Sequence, residues 1–194
     1  MISKTLTFLT SYLNQEMTML YGFSQDTEVV VASSLVSIRG GLNSDIDNKI
    51  VISIINIERE STVKAQVNHI TRDGNSMIKI AQPMVLNLYL LVSANYSSEN
   101  YIEASKILSS IISLFNSTSY FTREKYPSME APIEKLTMEI YNVPVTELNH
   151  IWNGIGANYV PSIVYKVRMV GIQERGIKER TPAIKGLDGN AKKQ

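Results

Sequence analysis

Pro144-Val145-Thr146-Glu147-Leu148-Asn149-His150-Ile151-Trp152-Asn153-Gly154-Ile155-Gly156-Ala157-Asn158-Tyr159-Val160-Pro161-Ser162-Ile163-Val164-Tyr165-Lys166-Val167-Arg168 is the stretch that decides the fold. It spells a short helix, a glycine stop, a Pro-Ser corner and a strand. Pro144 suits the first helical position, where its missing N–H is not needed. Leu148, Ile151, Trp152 and Ile155 fall at helical spacing and form one apolar stripe. Gly154 or Gly156 ends the helix in a left-handed cap. Pro161 has no N–H for a central ladder and so marks the start of a strand. From there Ile163, Tyr165, Val167 and Met169 point one way, and Ser162, Val164, Lys166, Arg168 and Val170 the other.

Working outward, the strand–helix alternation continues upstream. Ile133 to Tyr141 alternates, with Leu136, Met138 and Ile140 inward against Lys135, Thr137 and Glu139. A loop with Pro127 and Pro132 and a short strand at Tyr120–Thr122 precede it. Ser97-Ser98-Glu99 caps a helix whose buried stripe is Tyr101, Ala104, Leu108, Ile111 and Phe115. Before it, Pro83 opens a strand. Met84, Leu86, Leu88, Leu90 and Val92 line one face, and Val85, Asn87, Tyr89 and Leu91 the other. Lys49 to Glu60 is likewise apolar on both faces, Ile50, Ile52 and Ile54 against Val51, Ile55 and Ile57, which marks a central strand. A short strand surrounds Val29-Val30-Val31, and residues 39–43 make a turn. Ile2, Leu6, Leu9, Leu13, Met17 and Leu20 recur every three or four residues, the signature of an amphipathic helix that Gly22 ends.

Two segments stand apart. Ser61 to Gln82 is polar, with Asp73-Gly74-Asn75 as a tight turn between arms at Val63–Val67 and Met77–Ile80, a protruding hairpin or long loop. Residues 174–194 carry six Lys and Arg against three acids, a local balance of +3. With Gly176, Gly186, Gly189 and Pro182 this piece buries little and reads as an arm or a disordered tail. The organisation expected is one α/β (α+β) domain over residues 1–173, a mixed β-sheet flanked by helices in the order α-β-β-β-α-β-β-α-β. A basic Gly-rich C-terminal arm follows at 174–194.

Composition narrows the chemistry. The chain has 194 residues, 44% apolar and 19% charged, with a net charge of +1. That charge exerts no general pull toward nucleic acid or anionic membranes. There is no cysteine, which excludes disulfides and thiolate metal sites and fits a reducing cytosol. The longest apolar run, Met84 to Ala94, is far short of the roughly 20 residues that span a bilayer. No signal-peptide pattern is present, so cytoplasmic synthesis and no direct membrane insertion are expected. The two histidines, His69 and His150, have no second histidine at ligand spacing. Asn43-Ser44-Asp45-Ile46-Asp47 opens like a calcium loop but has Asn48 and Ile54 where glycine and glutamate are required. A turn rich in side-chain-to-backbone bonds accounts for it better. Gly154-Ile155-Gly156 follows a helix instead of opening one and cannot seat a phosphate at a helix start. Neither a phosphate-loop lysine motif nor a Gly-x-Ser-x-Gly elbow occurs. No catalytic residue, metal site or cofactor is therefore assigned, and the chain is expected not to be an enzyme.

The run Trp152, Gly156-Ala157, Tyr159, Pro161-Ser162, Tyr165-Lys166-Val167-Arg168 resembles the C-terminal signature of the terminator, or cap, proteins of contractile injection systems. These are phage-tail-like particles. The resemblance extends to Asn87-Leu88-Tyr89-Leu90-Leu91, to the helix after it and to the N-terminal helix, and covers about residues 1–172. Residues 61–82 and those after Gln173 carry none of it. It implies a structural protein that binds the end of the inner tube and sheath and stops their polymerisation. It also implies a hexameric ring, because the tube is built of six-fold rings, and a place in a particle that is released or anchored. Trp152, Gly156, Pro161, Ser162 and Tyr165 are the motif residues. Lys166, Arg168, Arg175, Lys178 and Arg180 are the candidate interface; Lys166 and Arg168 share one strand face, which is either a solvated face or local ion pair or a grip on acidic residues of a neighbouring subunit. The arm directly continues the last strand and is expected to pair with a neighbouring subunit. A soluble assembly chaperone or adaptor, or an enzyme on the same scaffold, are the competing readings.

Overall fold

A computed structural model describes the chain except residues 25, 38–42, 61–69, 74–75, 81–83, 172–176 and 183–194. A long helix, α1 (Ile2–Tyr21), is followed by a three-residue strand, β1 (Val30–Ala32), and a long one, β2 (Lys49–Arg59). A hairpin of β3 (Ile70–Asp73) and β4 (Ser76–Ile80) leads to β5 (Met84–Asn95) and α2 (Tyr101–Ser117). Then come β6 (Tyr120–Thr122), β7 (Ile133–Ile140), α3 (Val145–Ile155), β8 (Ser162–Gly171) and β9 (Ile177–Pro182). Six strands form one sheet in the order β1-β2-β5-β8-β7-β6. Only β1 and β2 run parallel, so the sheet is mixed. The expected order of three helices and six sheet strands is the observed one. β2 and β5 are interior, as their two-faced apolar patterns require, and β8 lies beside β5 with one polar face.

One face carries the main core. Leu9, Leu13 and Met17 of α1 and Ile107, Ile111 and Phe115 of α2 pack on Ile50, Ile52, Leu88, Leu90, Val92, Tyr165, Val167 and Met169. Phe8, Tyr12, Phe121 and Tyr126 close one end with edge-to-face ring contacts at 5.0–6.1 Å. The opposite face has a smaller cluster under α3: Trp152 on Val51, Leu91 and Val164, with Leu35 and Ile46. Gly22 (φ 69°) and Gly156 (φ 76°) end α1 and α3 in the left-handed region that favours glycine. Pro144 sits one position earlier than expected, at the N-cap of α3.

Four apolar positions expected inside face water. Leu20 is 57% exposed, Tyr101 53%, Ile140 45% and Met84 37%. Each lies in the first or last turn of its helix or at a strand end, where the sheet no longer covers it. Thr5, Phe8 and Ile107 are buried in their place. Ile57 is also exposed, at 45%, and it lies on the other face from the one its alternation predicts, opposite Leu88. β2 pairs with β5 in one register up to Ile54 and in a register shifted by one from Asn56 onward, so Ile55 is a bulge. A bulge inserts one residue and reverses the side-chain alternation beyond it.

The hairpin lies where its Asp73 turn was read, but the first arm is Ile70–Asp73; Val63–Val67 falls outside the described residues. β9 pairs antiparallel with β4, placing Arg180 opposite Ile78. Ile177–Pro182, part of the segment read as an arm or a disordered tail, is thus a strand paired within the chain. The turn read at 39–43 lies, Asn43 apart, outside the described residues. Asn43 Oδ1 accepts from Asp45 N at 3.2 Å and its Nδ2 donates to Ser33 Oγ at 3.2 Å, the side-chain-braced turn expected in place of a calcium loop.

Candidate functional site

The register of the central strands builds a polar face on the side of the sheet that α3 leaves uncovered. α3 covers the ends of β5 and β8 at Leu91 and Val164. Beyond them the outward residues line up in rows. Asn56, Tyr89, Lys166 and Glu139 make one row, and Glu58, Asn87, Arg168 and Thr137 the next. The bulge at Ile55 is what brings Asn56 and Glu58 to this face. Side chains opposite each other in such rows interact directly. Tyr89 Oη donates to Glu58 Oε2 at 3.0 Å, Asn56 Nδ2 donates to Glu58 Oε1 at 3.0 Å, and Asn87 Nδ2 donates to Glu60 Oε2 at 3.1 Å. Tyr141 meets Tyr89 edge-to-face at 5.1 Å. The Tyr89 hydroxyl is pushed above its ordinary range, first by burial and then by its bond to Glu58.

Of the interface candidates, Lys166 is half-buried in its row opposite Glu139, and Arg168 is exposed opposite Asn87 and Thr137. Among the described residues Arg168 has no ion pair. Lys178 and Arg180 lie on β9, in the second sheet, and Arg175 is outside the described residues. The structure therefore brings together Lys166 and Arg168 alone of the five.

The motif residues take structural positions. Trp152 is 4% exposed and holds α3 to the sheet, its ring meeting Tyr159 at 5.7 Å. Pro161 O accepts from Ala94 N at 2.9 Å, anchoring the corner before β8. Ser162 starts β8 beside Ser93. Tyr165 points to the other face, buried against Phe115 at 5.1 Å, and its hydroxyl has no hydrogen-bond partner among the described residues. Burial alone raises that hydroxyl to about 12.

A groove of about 590 Å³ runs between α3 and the second half of β2. Ile54, Ile55, Ile151 and Ile155 line it, with Glu58, Tyr89, Tyr141 and His150 as its polar lining. β1 ends at Ala32, opposite Ile52, and beyond it Leu35 and Val36 pack in one cluster with Ile55 and Ile155. No group of three His, Cys, Asp or Glu positioned to hold a metal occurs among the described residues. No described helix is long and apolar enough to cross a membrane. What the arrangement offers is recognition: a carboxylate, two cations and paired tyrosines on a rigid sheet. Glu58 and Asn56 escaped the sequence reading because a bulge is invisible to strict alternation, and Tyr141 because it stands just past the end of β7.

A family model described as the Pvc16 N-terminal domain matches residues 4–185. Two solved structures share the fold. One is a sheath/tube terminator of an extracellular contractile injection system, PVC, in the extended state. It is 11% identical at a TM-score of 0.57 over 94% of this chain. The other is the anti-feeding prophage cap, a tube-terminating cap, 12% identical at 0.55 over 91% of this chain. The chain spans 62% and 58% of those two chains. No curated protein matches it.

Proposed function

The chain belongs to the Pvc16 N-terminal domain family, and from that premise we propose that it caps the tube and sheath of a contractile injection system. In this reading it forms a six-membered ring that seats on the last layer and stops growth. It acts as a structural part of the particle, without catalysis. The observation that carries the proposal is the shared fold with two terminators over more than nine-tenths of this chain.

The physical requirement is simple. A tube built from head-to-tail contacts has no built-in end, because each ring offers the next one the same surface. A terminator must present one binding face and no equivalent face beyond it. The sheet fits such a part. Its edges are three-residue strands, β1 and β6, which offer little template for further pairing. One face is closed by α1 and α2. The other is half open and carries Lys166 and Arg168, whose guanidinium suits a bidentate grip on a partner carboxylate.

Tube assembly in vitro tests the proposal. Adding the chain at far below the tube-subunit concentration should shorten the tubes and leave a ring at their tips in electron micrographs. Tubes of unchanged length with bare ends would overturn it.

A further inference from the structure

The groove between α3 and the second half of β2 has a composition that its place in the fold does not require. Four isoleucines form its walls: Ile54, Ile55, Ile151 and Ile155. Between them stands Glu58, one bond from Tyr89 and one from Asn56. Each carboxylate oxygen has two lone-pair sites, so both retain acceptor capacity toward the groove. The rings of Tyr89 and Tyr141 lie next to it. A carboxylate held by neighbours, aromatic faces and aliphatic walls suits a lysine. The ammonium takes the carboxylate and ring faces, and its methylene stem takes the walls.

The chain itself contains a segment of matching pattern. Residues 183–194 hold three lysines against one aspartate. Lys185 stands between Ile184 and Leu187, one cation flanked by aliphatic residues, as the groove is one carboxylate flanked by isoleucines. We propose that the groove takes Lys185 of a second copy, with Ile184 and Leu187 on the isoleucine walls. The contact would then link neighbours, and in that respect the inference rests on the ring reading above.

The test uses a fluorescent peptide of residues 183–194 and the full chain carrying Lys185→Ala, so that its own segment does not compete. Saturable binding is expected at low salt, since the contact is exposed and screened. Glu58→Gln in the chain should weaken it about tenfold, the scale of a lost charge-assisted bond. Lys185→Ala in the peptide should do the same, while Lys192→Ala with Lys193→Ala should not. The pair Glu58→Lys and peptide Lys185→Glu should recover binding, and thermal melting checks that each variant is folded. No saturable binding, equal losses for all lysine substitutions, or no effect of Glu58→Gln would overturn the proposal. Sedimentation of the wild-type chain gives the second arm: self-association should weaken with Glu58→Gln. A chain monomeric at every concentration, or equally associated with Glu58→Gln, also overturns it. If the Glu58→Gln chain still forms rings and caps tubes normally, the cap function stands and this contact alone falls.

Discussion

Asn14 is the side chain whose removal tests the packing scheme most directly. Its Oδ1 accepts from Val29 N and Val30 N, each at 2.9 Å, and its Nδ2 donates to Val30 O at 2.8 Å. One carboxamide on α1 thereby satisfies the outer edge of β1 and fixes the helix to the sheet. Each such bond contributes about 1 kcal/mol net, more where the orphaned group stays out of water. The three bonds are part-buried, so Asn14→Ala should destabilise the fold by about 3 kcal/mol. For a chain of this size that is a fall of about 6–12 °C in Tm. Asn14→Asp keeps both acceptor contacts but loses the donor and sets a carboxylate toward Val30 O, and should cost about half as much. Urea denaturation followed by circular dichroism and Trp152 fluorescence measures both. Hydrogen exchange should show the Val29 and Val30 amides losing protection before the rest of the sheet. If Asn14→Ala stays within about 0.5 kcal/mol of the parent and those amides remain protected, the clamp is not what holds β1.

Trp152→Ala should cost about 3–5 kcal/mol, because it empties the centre of the small cluster under α3; chemical denaturation reads this directly. Tyr165→Phe should leave stability within about 1 kcal/mol or raise it, since the buried hydroxyl it removes has no partner among the described residues. The same variant should flatten the alkaline limb. With the folded hydroxyl near 12 and the unfolded one near 10, its contribution is intact below pH 10 and declines from there toward pH 12. A pH series of melting temperatures checks the sign. Gly156→Ala should cost about 1 kcal/mol through φ alone, because among the described residues no atom beyond its own chain neighbours lies within 4 Å of the added methyl group; equal stability would contradict that account.

Most of the fold was legible because it rests on periodicity. The two-faced runs at β2 and β5 and the Pro161 corner before β8 define the sheet centre without any tertiary information. Periodicity also limits the reading. Leu20, Tyr101 and Ile140 fit their stripes, yet each lies where its element outruns its neighbour, which spacing does not encode. Nothing in the periodicity of the first helix marks Asn14, because its partners lie fifteen and sixteen residues away. Of the candidate face, Lys166 and Arg168 were readable from their strand parity. Glu58 and Asn56 were not, because parity itself changes at Ile55. For β9, glycine content and charge argued for an unstructured arm, and the hairpin strand that pairs with it belongs to a segment with weak signals of its own.

The extra residue at Ile55 divides β2 into two lengths with different obligations. Up to Ile54 the strand is foundation, and its tolerated substitutions should be those of a close-packed interior. From Asn56 the same strand is signage, free to vary with whatever it must meet. Relatives that recognise different neighbours should therefore diverge on one side of that residue and agree on the other, and losing it would turn the lettering to the wall.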